Sequence, residues 1–540
     1  MTFLAVPISG NSLEQLRTAR DAAVQAGADL IELRVDMMEG VSDDDIRSLR
    51  DDQALPLILT IRSAAEGGHW DRPDDERISR LVELSPIADY IDVEWATWSQ
   101  SANIRQKIGL ALNRAGHISQ AGGKEEISLA AKRKLILSRH DFQGRPPRLY
   151  ADFLAMLSEP SCSIVKLAWQ ARTVRDNFEA FELIRTSPRP AIIICMGADG
   201  LLSRVLCRKF GAFATFASAT EESGTAPGQL PIAQLKQPYR WNTINAATAV
   251  YGLIGDPVRH SLSPAVHNAA FESLGFNAVY LPIRVDPSYE SFKAFMVEVL
   301  ARPWLDFRGF SVTLPHKENA LRFLRESGGS VDDLSERLGA VNTITLTPAA
   351  AGSQPPAASV SGCNTDYPAA LEAICAGLNC QPAQLAGRTI AVLGAGGVAR
   401  AVVAALTDAG AKITIFNRTE VKAQNLADLF HCDCKPWDAR KETDAGLVVN
   451  CTSVGMWPAV EESPMPGDAL KPGMVIFDTI YNPRPTKLLR DAAGHGCVAI
   501  DGLTMFLQQA RRQFQLWTGL LPPADVVATA AAAAQPRLPR

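Results

Sequence analysis

The stretch TIAVLGAGGVARAVV, residues 389–403, constrains this chain more than any other. A short apolar run meets a glycine turn and then an Ala-rich segment of helix formers, so the order predicts strand, turn and helix. Gly394 allows the tight turn, Gly396 lets backbone approach a pyrophosphate, and Ala399 lets the helix lie close on the strand with its N-terminus facing the phosphates. Gly394, Ala395, Gly396, Gly397 and Val398 are therefore assigned to a dinucleotide. The next β-rich run, residues 412–416, leads into Asn417, Arg418 and Thr419. A carboxylate there would serve the ribose hydroxyls of NAD, whereas the guanidinium of Arg418 can pair bidentately with a 2′-phosphate, so the expected cofactor is NADP.

Nearly four hundred residues precede that turn, and the full length of 540 fits roughly three to four domains. A composition of 47% hydrophobic and 21% charged residues is that of a globular chain. The net charge of -4 and pI near 6.1 give no basic footprint, so neither nucleic acid nor an anionic membrane is an expected partner. Ten cysteines are scattered without metal-ligand spacing, and the close pair Cys432 and Cys434 reads as packing, so no metal is expected. The N-terminus enters a strand without a basic leader, and no apolar run approaches the ~18 residues of a membrane span. A cytoplasmic protein, monomer or homodimer, acting on small molecules, is the expectation.

The first half gives eight β-rich runs, at 3–8, 29–35, 57–61, 90–95, 134–138, 163–168, 191–196 and 212–217, with helix-compatible segments between many of them. Eight such units in about 230 residues predict a (β/α)8 TIM barrel ahead of an open doubly wound sheet. Chemistry on a barrel gathers where the strands end, and those ends carry Glu32, Arg34, Arg62, Glu66, His140 and Lys166, followed by Arg204, Thr225 and Gln229. The set reads as one cationic pocket around a lysine set among Ile164, Val165, Leu167 and Ala168. Burial and nearby arginines would favour the amine of Lys166 as a Schiff-base nucleophile toward a ketone, with His140 as acid/base, Glu66 orienting it, and the arginines holding an anionic substrate.

IELRVD (31–36), TIRSAAEGG (60–68), SRHDF (138–142), IVKLA (164–168), GLLSRVL (200–206) and TAPGQLPI (225–232) together resemble the motif series of type I 3-dehydroquinate dehydratase. The resemblance spans residues 1 to about 235 in order, and implies dehydration of 3-dehydroquinate to 3-dehydroshikimate. It casts Lys166 as the imine former, His140 as the group that removes a C2 proton, and Glu66 as its partner. Glu32, Arg34, Arg62, Arg204, Thr225 and Gln229 become substrate ligands, with Arg204 on the carboxylate. Thr225 stands where the family usually has Ser and keeps the hydroxyl.

Residues 234–249 lack sustained periodicity and read as a linker with a boundary near 240. Beyond it a short strand at 250–254 precedes Ser261 and Ser263 at a helix start, a pair of hydroxyls suited to a carboxylate. FSVTLPHK brings Thr313 and Lys317, LGAVNTI brings Asn342 and GCNTDY brings Asp366. A lysine and an aspartate over a small polyol can deliver the proton that a ketone takes up as it becomes an alcohol.

With GAGGVARA, NRT, NCTSVGM (450–456), DTIYNP (478–483) and DGLTMFLQQA (501–510), these strings resemble shikimate dehydrogenase over about residues 250–520. The resemblance implies Ser261, Ser263, Thr313, Asn342, Tyr481 and Gln509 around the substrate, Lys317 and Asp366 as the catalytic pair, and Thr452, Thr479 and Gly502 beside the nicotinamide. Ser311 stands where many members have Asn. The implied division is a barrel over 1–238, a substrate domain over 250–375, and a Rossmann NADP-binding domain over 376–520 whose last helix returns to the substrate domain. Residues 348–359 read as a flexible hairpin excursion, and the terminal AAAAAQPRLPR as a frayed helix and tail whose removal leaves both activities intact. The two halves join as consecutive steps, because the product of the first is the substrate of the second. A quinate-preferring dehydrogenase half is the rival enzyme, and a catalytically dead metabolite sensor the rival of another class.

Overall fold

The eight β-rich runs of the first half become eight parallel strands: β1 Phe3–Ile8, β2 Leu30–Arg34, β3 Leu57–Thr60, β4 Tyr90–Glu94, β5 Lys134–Asp141, β6 Cys162–Gln170, β7 Ala191–Met196 and β8 Ala214–Phe216. They pair in the order β7-β6-β5-β4-β3-β2-β1-β8. The Phe213 N–H donates to the Ala191 carbonyl at 2.8 Å, which brings the two ends of the sheet together as a barrel. The computed structural model describes residues 2–50, 55–113, 133–348 and 359–535, and it divides into two units, Met1–Thr248 and Ala249–Arg540.

Side chains alternate across a strand with period two, and the barrel interior is built on that rule. Leu30, Ile58, Tyr90, Ile136 and Ile164 form one inward layer with Ala5, Ile192 and Ala214. Two residues further along the same five strands stand Glu32, Thr60, Asp92, Ser138 and Lys166, all buried. The barrel therefore has an apolar floor and, directly above it toward the strand ends, a polar ring. Lys166 lies in mid-strand, because β6 runs on to Gln170 instead of stopping at Ala168.

In the second unit, β9 Ala249–Gly255, β10 Ala278–Arg284, β11 Phe307–Val312, β12 Ser330–Val331, β13 Thr343–Thr347 and β14 Ser359–Cys363 pair in the order β10-β9-β11-β13-β14-β12. β13 runs antiparallel to both neighbours. A second sheet holds β15 Thr389–Leu393, β16 Lys412–Asn417, β17 Asp433–Pro436, β18 Leu447–Asn450, β19 Val475–Asp478 and β20 Val498–Asp501. Its order, β17-β16-β15-β18-β19-β20, is all parallel and reverses direction at β15, which is the topology of a dinucleotide fold. The Gly502–Thr518 helix sends Phe506, Ala510 and Phe514 into a core with Tyr251, Phe271 and Tyr280, so it packs on the first sheet of the unit.

Two expectations change. The stretch read as a linker is folded onto the barrel: Leu235, Trp241 and Ile244 are buried, and the chain passes to the second unit only after Thr248. The end of the chain is not frayed through residue 534, because the Ala524–Ala534 helix buries Val527 and Ala531 in the core beside Val266 and Ala270. Removing that helix would strip a core face. The expected hairpin excursion falls on residues 349–358, and the expected tail on 536–540, outside the described residues.

Candidate active sites

All nine barrel residues singled out in the sequence, Glu32, Arg34, Arg62, Glu66, His140, Lys166, Arg204, Thr225 and Gln229, line one cavity, with Phe142, Ile194, Met196 and Phe216 as its apolar wall. The Lys166 amine, 4.4 Å from the centre of the Phe216 ring, donates to Glu32 Oε1 at 3.0 Å and Asp92 Oδ2 at 2.9 Å. Its neighbours are carboxylates where arginines had been expected. Arg62 contacts Asp92 at 3.0 Å, Glu94 at 3.4 Å and Ser138 Oγ at 2.8 Å. Arg34 gives Nε and Nη2 to Asp36. The cationic pocket inferred from the sequence is thus a charge-balanced network. Asp92, Glu94 and Ser138 were missed, although two acids spaced by two in the apolar strand YIDVE put both on the inner face, which is the signal.

Burial lowers the His140 imidazole well below its usual range, helped by Arg62 and Lys166, and burial raises the Glu66 carboxyl to about 8. Glu66 Oε2 takes the His140 backbone N–H at 2.9 Å and lies 3.0 Å from Nδ1. With the ring proton on Nδ1, Nε2 offers its lone pair to the cavity. Asp92 stays well below the carboxylate range: burial opposes its charge, but Arg62 and Lys166 outweigh burial.

Among the described residues, Arg204 is the cavity cation with no carboxylate partner. Its Nη atoms donate to the Phe216 and Pro227 carbonyls, Nε is buried with no acceptor, and burial lowers its guanidinium to about 10. A buried cation short of an anion is where a substrate carboxylate is worth most. Gln229 is more committed than expected. Its Oε1 accepts from the Thr225 and Ala226 N–H groups and its Nε2 donates to the Ala217 carbonyl, so it shapes the loop that carries Thr225.

In the second unit the Lys317 amine donates to Asp366 Oδ2 at 2.5 Å, with both side chains buried. Each begins a helix, Lys317–Ser327 and Asp366–Leu378. Asn342 Oδ1 accepts from the Thr365 N–H at 2.9 Å and its Nδ2 donates to Thr365 Oγ1 at 3.0 Å, which ties it to the residue before Asp366. Ser261 Oγ donates to Ser263 Oγ at 3.1 Å, and the Tyr481 ring packs on Phe506 with centroids 4.3 Å apart and planes tilted by 33°. Thr313 follows β11 directly, and Gln509 lies on the Gly502–Thr518 helix with Nε2 on the Phe506 carbonyl. Tyr280, Ser311 and Gln513 form a buried chain the sequence did not announce: the Tyr280 hydroxyl donates to Ser311 Oγ, and Ser311 to Gln513.

The residues of the glycine turn fit a dinucleotide. Gly394 takes φ 109°, a conformation that favours glycine, and a Cβ there would stand 3.1 Å from the Cys451 backbone. Gly396 caps the Gly397–Asp408 helix without a side-chain bond and has open space where a Cβ would be, while Ala399 is buried against the sheet. First-turn N–H groups are therefore left for phosphate oxygens. Asn417 donates to the Thr419 carbonyl, and Arg418 is exposed with no ion pair among the described residues. Thr452 and Thr479 are held on the two sides of Asn450, by its Oδ1 and its carbonyl, and Asn450 is anchored on Asp478. Gly502 is required for packing: a Cβ there would stand 2.6 Å from the Asp478 carbonyl. No group of three or more metal-ligating side chains occurs among the described residues, nor does any helix long and apolar enough to cross a membrane.

Comparison with known proteins follows the same division. Residues 4–246 match the type I 3-dehydroquinase family, 253–344 the shikimate dehydrogenase substrate binding domain, 378–486 the shikimate/quinate 5-dehydrogenase family and 502–531 the shikimate 5'-dehydrogenase C-terminal domain. The chloroplastic bifunctional 3-dehydroquinate dehydratase/shikimate dehydrogenase of Arabidopsis thaliana is 35% identical over 97% of this chain and 83% of its own length. The NADP(+) shikimate dehydrogenase of Moorella thermoacetica is 40% identical over 53% of this chain and 92% of its own. Among solved structures, dehydroquinate dehydratase and shikimate dehydrogenase from S. pombe AroM aligns over 98% of both chains at 25% identity with a TM-score of 0.40. With a relative of that identity along almost its whole length, the chain belongs to the family of bifunctional 3-dehydroquinate dehydratase/shikimate dehydrogenases.

Proposed function

We propose that the two sites carry consecutive reactions on one ring: dehydration of 3-dehydroquinate to 3-dehydroshikimate in the barrel, and NADPH-dependent reduction of 3-dehydroshikimate to shikimate in the second unit. The observation that carries the reading is the buried Lys166 amine in a cavity that also presents the Glu66-oriented His140 and the unpaired Arg204. Arg204 takes the substrate carboxylate, Lys166 condenses with the ketone, and His140 Nε2 removes the neighbouring proton, since the protonated imine draws off the electron pair left behind. The same imidazole, then protonated, hands its proton to the departing hydroxyl. Glu32, Arg34, Arg62, Thr225 and Gln229 surround the ring.

In the second unit Ser261, Ser263 and Tyr481 take the carboxylate end, and Thr313, Asn342 and Gln509 the ring hydroxyls. The glycine turn would hold NADPH, with Arg418 for its 2′-phosphate and Thr452, Thr479 and Gly502 for the nicotinamide end, and the bound cofactor would supply a hydride. Lys317 supplies the proton to the carbonyl oxygen, and Asp366 holds that amine in place.

Purified protein given 3-dehydroquinate and NADPH should consume the nicotinamide and accumulate shikimate. Absence of shikimate under conditions where each substrate is bound would reject the reading. Initial rates on shikimate and quinate with NADP decide between the two alcohols, shikimate being expected to have the larger kcat/KM.

A further inference from the structure

We propose that Asp92 is the permanent counter-ion of the Lys166 nitrogen throughout the barrel reaction, and hence a catalytic residue in its own right. This rests on the reading of Lys166 as the imine former. The carboxylate is fully enclosed at the centre of the polar ring, with Oδ2 2.9 Å from the amine and Oδ1 on Ser138 Oγ at 2.5 Å and Arg62 at 3.0 Å. Glu32 also touches the amine, but apart from Lys166 it accepts from the Thr60 hydroxyl at 3.1 Å, and it forms part of the cavity wall. Asp92 is not among the residues that line the cavity. The two carboxylates on one nitrogen therefore differ in kind: one faces the incoming ring, and the other is clamped from behind by a neutral hydroxyl and a guanidinium.

The charge balance of imine formation explains why such a clamp is useful. An ammonium plus a ketone gives a protonated imine plus water, so the nitrogen carries one positive charge at both ends of the sequence. Between them the ammonium gives a proton to Glu32, 3.0 Å away, and the freed pair attacks the ketone carbon while the carbonyl π pair moves to oxygen. The oxygen takes up that proton and the one lost from nitrogen, and leaves as water. A C=N bond has formed and both C–O bonding pairs have departed with oxygen. An anion fixed at 2.9 Å and held ionised by Arg62 favours the step in which positive charge develops on the nitrogen, the loss of water from the neutral carbinolamine to give the iminium. Because Arg62 and Ser138 already orient it, it needs no reorganisation at the moment of reaction.

The test uses the full-length chain. Wild-type protein incubated with 3-dehydroquinate and borohydride should yield a reduced adduct mapped to Lys166; its absence breaks the reading of Lys166 before any variant is made. If the adduct forms, Asp92→Asn, which keeps the shape and the Ser138 contact but removes the charge, should lower dehydratase kcat at least ~100-fold with KM changed less than about threefold. The rate of adduct trapping should fall in parallel, while shikimate oxidation by the same preparation is unaltered. Turnover within threefold of wild type, or lost turnover with trapping at the wild-type rate, would overturn the proposal. Should Asp92→Asn fail to fold, Ser138→Ala loosens the clamp and keeps the charge: a roughly three- to tenfold fall in kcat at constant KM is expected, and a wild-type rate would overturn the proposal.

Discussion

Lys166 and Lys317 are both buried amines bonded to carboxylates, and the differences between their surroundings separate two kinds of chemistry. Lys166 projects from the middle of a strand into a cavity, between two carboxylates and against an aromatic face. Lys317 opens a helix, where the helix dipole opposes a cation, and a single aspartate holds it at 2.5 Å. That aspartate opens another helix, where the same dipole favours an anion. A nucleophile has to reach a carbon atom and then carry charge through several intermediates, so it sits in open space with a fixed counter-ion. A proton donor has to stay at one distance from one oxygen and reload, so it sits in a tight pair. On the proposed roles, similar side chains become an electron sink and an acid through their supports.

The sharpest way to break that comparison is Lys166→Ala, which should lower dehydration by at least about three orders of magnitude and leave shikimate oxidation within twofold, both measured on one preparation. Parallel loss of both activities would mean that the lysines do not serve separate reactions. Next in size, Asp366→Asn keeps the hydrogen bond to Lys317 but not its charge, and should cost about 10²–10³ in kcat for shikimate with dehydration unaffected. A purely structural pair would instead change thermal stability with little change in kcat.

Arg418→Ala should weaken NADP by roughly tenfold or more and NAD by much less, in line with the loss of one charge-assisted contact. Equal losses, measured as Kd by titration, would remove the 2′-phosphate from the assignment.

The smallest expected effect is on stability. Burial raises the Glu66 carboxyl to about 8, above its unfolded value, so its contribution is fully present below pH 4 and is lost as pH rises through 8. His140 is shifted the other way, so its contribution is present above the unfolded value near 6.5 and is lost as pH falls below it. Glu66→Gln should therefore unfold at a higher temperature than wild type at pH 9, with the gap closing toward pH 4, as read by thermal unfolding of the variant pair. A gap independent of pH would place the carboxylate in its ordinary range.

Much of both sites was legible because each motif folds into a local structure whose chemistry survives any tertiary setting. GxGxxA becomes a strand, a turn at positive φ and a helix with open N–H groups. The charged residues of the β-rich runs fall toward one end of the barrel interior because period-two alternation turns them inward and the parallel strands share one direction. Asp92 was overlooked although it lies within a correctly expected strand, since a sequence does not show which charges face one another across a sheet. The supposed linker was misjudged because its periodicity is weak and only packing shows that Trp241 is buried. The final helix was misjudged for a similar reason: a run of alanines has no amphipathic signature, yet Ala531 is fully buried beside Val266 and Ala270.

The order of amino acids by itself determined the fold classes, the order of the two units, the dinucleotide turn and the identity of both amines. Tertiary structure alone decided their partners, turning an expected cationic pocket into a balanced network and pairing Lys166 with an aspartate 74 positions away. The reason is range. Alternation and turn geometry are set by neighbours along the chain, whereas a hydrogen bond must close to about 3 Å, and strand register fixes which distant residues come that near.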